Sequence, residues 1–166
     1  GHFVPSNSVM PLKNAATEIE GWVTTGPVLW SNEANTQVGK AQDGSLFLDL
    51  ANRAEHGPHG GLKQSILLGF NSDYRLAYFI SNPPGFPGPV TVSVSIASGL
   101  GVMISKDFTS NPGGAPWQRL TMLFETTGWL GTAAGVPATI TIQAKSGQRQ
   151  SFIGIDNVSL HLMRSV

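Results

Sequence analysis

Short stretches of alternating apolar and polar residues run along most of the chain. The clearest is 90–96 (VTVSVSI), where four β-branched apolar residues alternate with three hydroxyl-bearing ones. Successive side chains of a strand point to opposite faces, so this period of two predicts a strand with one face on a core. With shorter apolar runs included, about ten strands are predicted, at 18–23, 28–30, 45–50, 61–67, 74–81, 90–96, 102–108, 117–126, 138–144 and 152–162.

Turn signals separate these strands, and no helical period extends over a useful length. The 20 glycines and 11 prolines suit short strands joined by tight turns. The segment 82–89 has four prolines, which lack the N–H that a ladder needs, so it is predicted to be a loop. The pattern predicts one β-sandwich or barrel over residues 18–166. Residues 1–17 are interpreted as an irregular arm or edge strand that opens with a tag remnant, Gly1-His2.

Composition narrows the classes of partner. The chain has ten basic and ten acidic residues and a net charge of zero, so it offers no basic surface for a phosphate backbone, and nucleic acid is not expected as a partner. No apolar run reaches the roughly 18 residues of a membrane helix, which argues against membrane insertion. Cysteine is absent, so disulfides and thiolate metal sites are excluded.

Several motifs occur in an order that resembles a known family. They are Gly21-Trp22, Trp30, Asp43-Gly44, Leu48-Asp49-Leu50, Gly60-Gly61-Leu62-Lys63-Gln64, Tyr74-Arg75-Leu76, Trp117 with Phe124, and Ile155-Asp156-Asn157-Val158. Together they resemble the galactose-binding-like jelly-roll domains, and among these a secreted bacterial and plant cell-wall family of unknown function that ends in the same Ile-Asp-Asn-Val strand.

The resemblance implies an all-β jelly-roll sandwich of two antiparallel sheets, often stabilised by calcium, with a sugar-binding role in many relatives. It also implies a secreted or cell-surface bacterial protein. Relatives usually open with a strand whose acidic residue lies near the calcium site. That strand is missing or replaced here by Pro5-Ser6-Asn7-Ser8.

Asp156 lies in the closing strand among apolar residues, so its carboxylate needs a partner. One interpretation is a calcium ligand, because hard cations collect carboxylate and carbonyl oxygens. The other is structural, with Asp156 and Asn157 in hydrogen bonds that fix the strand end or a neighbouring loop. The second interpretation is favoured, since buried carboxylates are usually hydrogen-bonded.

Aromatic and polar residues near the loops are candidates for binding sugar. An aromatic face matches the C–H face of a pyranose. Trp30 precedes a polar loop and Trp129 lies within one, so exposure is expected for both about as readily as core packing, with Tyr78 as a weaker candidate. Trp22 and Trp117 are expected in the core. The candidate polar groups are Asp43, Arg53, His56 and His59. The two histidines lack the further ligands of a zinc site, so they are interpreted as solvated loop residues.

The chain shows no catalytic motif and no carboxylate pair with an assignable separation. The predicted function is therefore non-catalytic, lectin-like binding of carbohydrate or polysaccharide. One alternative is a structural or adhesive module that packs on a neighbouring domain or surface protein. A lesser alternative is a polysaccharide-active hydrolase.

Overall fold

The computed structural model describes residues 9–34, 40–52, 59–82, 85–86, 88–111, 117–145 and 152–165. Within these ranges the regular secondary structure is β1 (Val9–Leu12), β2 (Val23–Thr24), β3 (Val28–Asn32), β4 (Leu46–Asp49), β5 (Gly61–Leu68), β6 (Ser72–Ser81), β7 (Thr91–Ser98), β8 (Met103–Thr109), β9 (Gln118–Glu125), β10 (Val136–Ala144) and β11 (Gly154–Ser165). The same ranges contain no helix of the length and hydrophobicity needed to cross a membrane.

The strands form two antiparallel sheets. The first has six strands in the order β1-β3-β4-β11-β6-β9, and the second has five in the order β2-β5-β10-β7-β8. This arrangement confirms the predicted all-β jelly-roll sandwich. The core lies between the sheets, where the alternating strands bury one face. Val92, Val94 and Ile96 of β7 are fully buried, as are Leu76 and Ile80 of β6. Burying each such side chain contributes about 1.5–3 kcal/mol.

The first strand lies in the segment expected to be an irregular arm or edge strand, and the second is much shorter than predicted. Val9–Leu12 is an edge strand that pairs with β3. The strand predicted at 18–23 is wrong for most of its length, because β2 covers only Val23–Thr24. The preceding residues turn instead, with the Trp22 N–H donating to the Ile19 carbonyl at 3.0 Å. Gly21 adopts a φ of 79°, a left-handed conformation that glycine permits and that ends an extended run.

The six-stranded sheet has a gap between β4 and β11. These strands pair at two positions, Gly154 with Asp49 and Ile155 with Leu48. Beyond them, β4 stays paired with β3, whereas β11 follows β6 through a register shift between Asp156 and Ser159. Asn157 within this bulge has a φ of 46°. A bulge bends its strand, so the two strands separate and open the sheet towards its interior.

Candidate functional site

A cleft of about 170 Å³ lies where β4 and β11 separate, and we call it the tryptophan cleft. Its walls come from the 19–22 turn, β3, β4, β5 and β11. The lining residues are Ile19, Trp22, Trp30, Leu46, Phe47, Leu48, Leu62, Ile155, Asp156, Asn157 and Val158.

The interior of the tryptophan cleft is apolar. Leu48, Leu62 and Ile155 are buried core residues, and Trp22 and Trp30 are partly buried side chains packed against that core. Trp30 lies opposite Leu48 in the register of β3 and β4, so both side chains lie on the same inward face of the sheet. The core packing expected of Trp22 is therefore found, and the same side chain also lines the cleft.

Polar groups gather at the β11 side of the cleft. The Asp156 Oδ2 accepts hydrogen bonds from the backbone N–H groups of Gln42 at 2.9 Å and Asp43 at 3.1 Å. The Asp156 Oδ1 accepts one from the Asn157 N–H at 2.8 Å. The Asn157 side chain donates to the Gln42 side-chain oxygen at 2.9 Å. Because the Trp117 Nε1 also donates to the Lys40 carbonyl at 2.8 Å, residues 40–43 are fixed beside the cleft.

Burial raises the pKa of Asp156 above its ordinary value, and the nearby Asp43 charge acts in the same direction. The three backbone N–H groups oppose this shift because they stabilise the carboxylate. Asp156 therefore retains a proton to a higher pH than an exposed aspartate does. It can accept a hydrogen bond from a ligand as a carboxylate or donate one as an acid.

The calcium interpretation of Asp156 has little support in this geometry. Both carboxylate oxygens accept backbone N–H groups, whose positive ends occupy directions that a cation needs. Across the described ranges, no group of three or more His, Asp or Glu residues is placed to hold a metal ion. These contacts fit the structural interpretation of Asp156, and calcium binding stays a prediction.

The structure brings two of the sequence candidates to this place. Trp30 lines the cleft, and Asp43 lies beside it through its N–H bond to Asp156. His59 is partly buried, and its carbonyl accepts a hydrogen bond from the Gln143 Nε2 of β10 at 3.2 Å. It is not among the residues that line the cleft. The remaining candidates, Arg53 and His56, lie outside the described residues.

Two aromatic candidates prove to be buried, which corrects the expectation that they can stack on a sugar. Trp129 is 8% exposed and stacks on Phe124 with ring centroids 6.3 Å apart, because a turn bond from its N–H to the Thr126 carbonyl folds the loop back. Tyr78 is 0% exposed and meets Phe108 edge to face, since it lies on the inward face of β6.

The sequence interpretation missed Gln42 as a rim residue and a cleft role for Trp22. Neither role is indicated by the residues that neighbour Gln42 or Trp22 in sequence. Gln42 reaches the site through bonds to Asp156 and Asn157, more than a hundred residues away in sequence. The strand order that brings them together is likewise non-local.

Comparisons with known proteins give structural likenesses alone. No protein-family model and no curated protein matches the chain. A family 16 carbohydrate-binding module is similar at 16% identity and a TM-score of 0.58, covering 89% of this chain and 96% of that one. The CBM22-1 xylan-binding domain of Paenibacillus barcinonensis Xyn10C is 12% identical with a TM-score of 0.57, covering 99% and 100%.

A cyclase from Fischerella sp. TAU in complex with 4-(1H-indol-3-yl)butan-2-one is also similar. It is 18% identical with a TM-score of 0.64, covering 96% of this chain and 99% of that one. At such low identity the likenesses establish the fold. The chain has the jelly-roll sandwich that is found in carbohydrate-binding modules.

Proposed function

We propose that this protein is a non-catalytic carbohydrate-binding domain of a secreted or cell-surface protein, with sugar held in the tryptophan cleft. The observation that carries the proposal is that two tryptophans line a cleft whose mouth bears the amide and carboxylate groups of β11. Indole rings bury the C–H face of a pyranose, and a few placed polar groups set its orientation.

The rim can exchange hydrogen bonds with hydroxyl groups. The bond between Asn157 and Gln42 uses one end of each side-chain amide, and the other ends are a donor on Gln42 and an acceptor on Asn157. The Asp156 carboxylate adds a third polar group at the cleft. The likeness to two carbohydrate-binding modules over most of both chains supports the same proposal.

The acidic residues support binding without hydrolysis. Asp156 is the one acidic side chain among the described residues that line the cleft. Glycoside hydrolysis generally needs two carboxyl groups about 5–9.5 Å apart on either side of the scissile bond. Of the described lining residues, a bound sugar would meet one carboxyl group, already engaged by three backbone N–H groups, while Asp43 lies beside the cleft and outside its lining.

A second candidate function is acid catalysis on an apolar substrate. It is favoured by the raised pKa of Asp156 beside two tryptophans, and by the likeness to a cyclase solved with an indole compound. A carboxyl group whose pKa lies nearer to the working pH is a better general acid. Turnover of indole substrates that is lost in Asp156→Asn would favour this candidate over simple binding.

The test of carbohydrate binding is a glycan array followed by calorimetric titration. Trp30→Ala should weaken binding at least about tenfold, which corresponds to about 1.4 kcal/mol. Phe70→Ala is the matched control, because it removes an aromatic ring that is 43% exposed and not among the cleft residues, and it should leave the affinity unchanged. Trp30→Phe, which keeps an aromatic face, should retain part of it. No binding of any sugar at millimolar concentration would overturn the proposal.

A further inference from the structure

Resting on the proposed function, we infer that the tryptophan cleft takes the terminal ring of a glycan, inserted with an apolar edge such as the methyl group of a 6-deoxyhexose towards the floor. The inference rests on the depth of the cleft, its volume, and the separation of its polar and apolar residues.

The cleft penetrates the sandwich rather than running along its surface. Trp30 and Leu48 belong to the six-stranded sheet, whereas Leu62 belongs to the five-stranded one. A cleft lined by both sheets passes through the gap between β4 and β11 into the space between them. A ligand therefore enters end-on. An internal ring of a polysaccharide has neighbours on both sides and cannot enter such an opening.

Two segments lie beside the opening. Residues 40–43 are held beside β11 by Asp156. Across the cleft, the 19–22 turn packs closely on β5, since a Cβ atom at Gly21 would lie 2.9 Å from the Gln64 Nε2. A sugar in the cleft therefore lies between two segments that are held against the sandwich.

The volume fits one ring. The cleft has a volume of about 170 Å³. Pockets for drug-sized ligands have about 300–1,000 Å³. The smaller volume favours a single ring over a disaccharide.

The distribution of polarity selects the buried edge of that ring. The buried floor residues Leu48, Leu62 and Ile155 are all apolar, and the polar side chains Asp156 and Asn157 belong to β11 at the gap. A hydroxyl group pushed against the floor would lose its water without gaining a partner. A methyl group in the same position gains apolar contact instead. The floor therefore favours a deoxy sugar over its hydroxylated counterpart.

Matched sugars test this inference directly. L-fucose and L-galactose differ by the 6-hydroxyl group, as do L-rhamnose and L-mannose. In calorimetric titrations at least one 6-deoxy sugar should bind about 10- to 100-fold more tightly than its counterpart. An oligosaccharide that ends in that sugar should bind no more than about threefold better than the free sugar.

A wall variant provides the second measurement. Ile19 is partly buried in the turn. Ile19→Val is the control, and Ile19→Thr, which has almost the same volume as that control, places a hydroxyl group in the cleft. It should reduce the preference for the deoxy sugar at least about fivefold, while the melting curve shows that the variant is folded. Equal binding of the deoxy and hydroxylated sugars would overturn the inference. So would affinity that rises steadily with the length of an internal chain, although that result leaves the proposed function intact. If no carbohydrate binds, the proposed function fails and the inference with it.

Discussion

Asp156 combines partial burial with three backbone hydrogen bonds, so its titration is linked to folding. Burial raises its pKa in the folded chain, which means that the folded state holds the proton more tightly than the unfolded state. The stability gained from that proton is present below the unfolded pKa of about 3.9 and is lost as the pH rises through the folded pKa.

This linkage is tested by comparing wild type with Asp156→Asn, whose side chain cannot titrate. As the pH falls from about 6 to about 3, the unfolding free energy of wild type should rise relative to that of the variant, measured by urea denaturation. The pKa of Asp107 is lowered by its hydrogen bond to Lys145. Asp107 therefore favours folding above its unfolded pKa, but its contribution is common to both proteins and cancels. A wild type that gains relative stability as the pH rises would show that the folded pKa is lowered.

Tyr78 places a hydroxyl group in the core. Its Oη has no hydrogen-bond partner among the described residues, and burial raises its pKa well above the ordinary value. An unpaired buried hydroxyl group costs free energy that its removal recovers. We expect Tyr78→Phe to leave the unfolding free energy unchanged or to raise it by up to about 1 kcal/mol. A loss of more than that in denaturant titrations would mean that the hydroxyl group has a partner, such as a buried water. Phe124, another buried ring of the same core, offers the contrast, because Phe124→Leu leaves a cavity and should destabilise the protein.

At the residue scale, the local pattern singled out two positions that the structure places at the cleft, and their roles there stay predictions. Trp30 next to a polar loop and Asp156 in an apolar strand both lie at the candidate site. Trp129, for which exposure and core packing were expected about equally, is packed in the core, and Tyr78, the weaker sugar-stacking candidate, is fully buried. Tyr78 packs on Phe108 of the opposite sheet, and no window of sequence around Tyr78 contains that information.

At the scale of elements, the alternating strands were predictable and their breaks were not. The period of two in β7 and β10 identifies strands with one buried face, and both form with that face inward. The gap between β4 and β11 depends on a bulge and on sheet order, neither of which has a period. The resemblance identified the closing Ile155-Asp156-Asn157-Val158 segment as a motif. Its left-handed residue became evident from the structure alone.

Substitutions at Asn157 test the role of the bulge in the gap between β4 and β11. At a φ of 46°, glycine is comfortable and a β-branched residue is strained. Asn157→Val should lose about 1–3 kcal/mol of unfolding free energy, whereas Asn157→Gly should stay within about 1 kcal/mol of wild type. Both variants lack the side-chain bond to Gln42, so both should weaken sugar binding if that bond fixes the rim. Calorimetry and thermal melting separate the two effects. Equal stability of the two variants would show that the bulge relaxes without cost.

At the scale of the whole molecule, the strand pattern and composition predicted the fold class. The site could not be predicted without knowing the order of the strands in the sheets. Strands adjacent in the six-stranded sheet come from the beginning, middle and end of the chain, since β3 and β4 lie beside β11 and β6. A sequence pattern constrains each strand locally. It does not determine which strands are neighbours, and the tryptophan cleft exists because of those neighbours.

The charge of the molecule predicts how sugar binding depends on salt concentration. Ten basic and ten acidic residues cancel over 166 positions, and Asp156 is the single ionisable side chain among the described residues that line the cleft. Binding of a neutral sugar should therefore change less than about twofold between roughly 50 and 500 mM NaCl, because few counterions are released. Two phosphate contacts would instead weaken binding about 60-fold over the same range. Titrations of the sugar and of a DNA duplex at both salt concentrations separate these cases. Salt-sensitive binding of DNA, with or without sugar binding, would contradict the expectation that nucleic acid is not a partner.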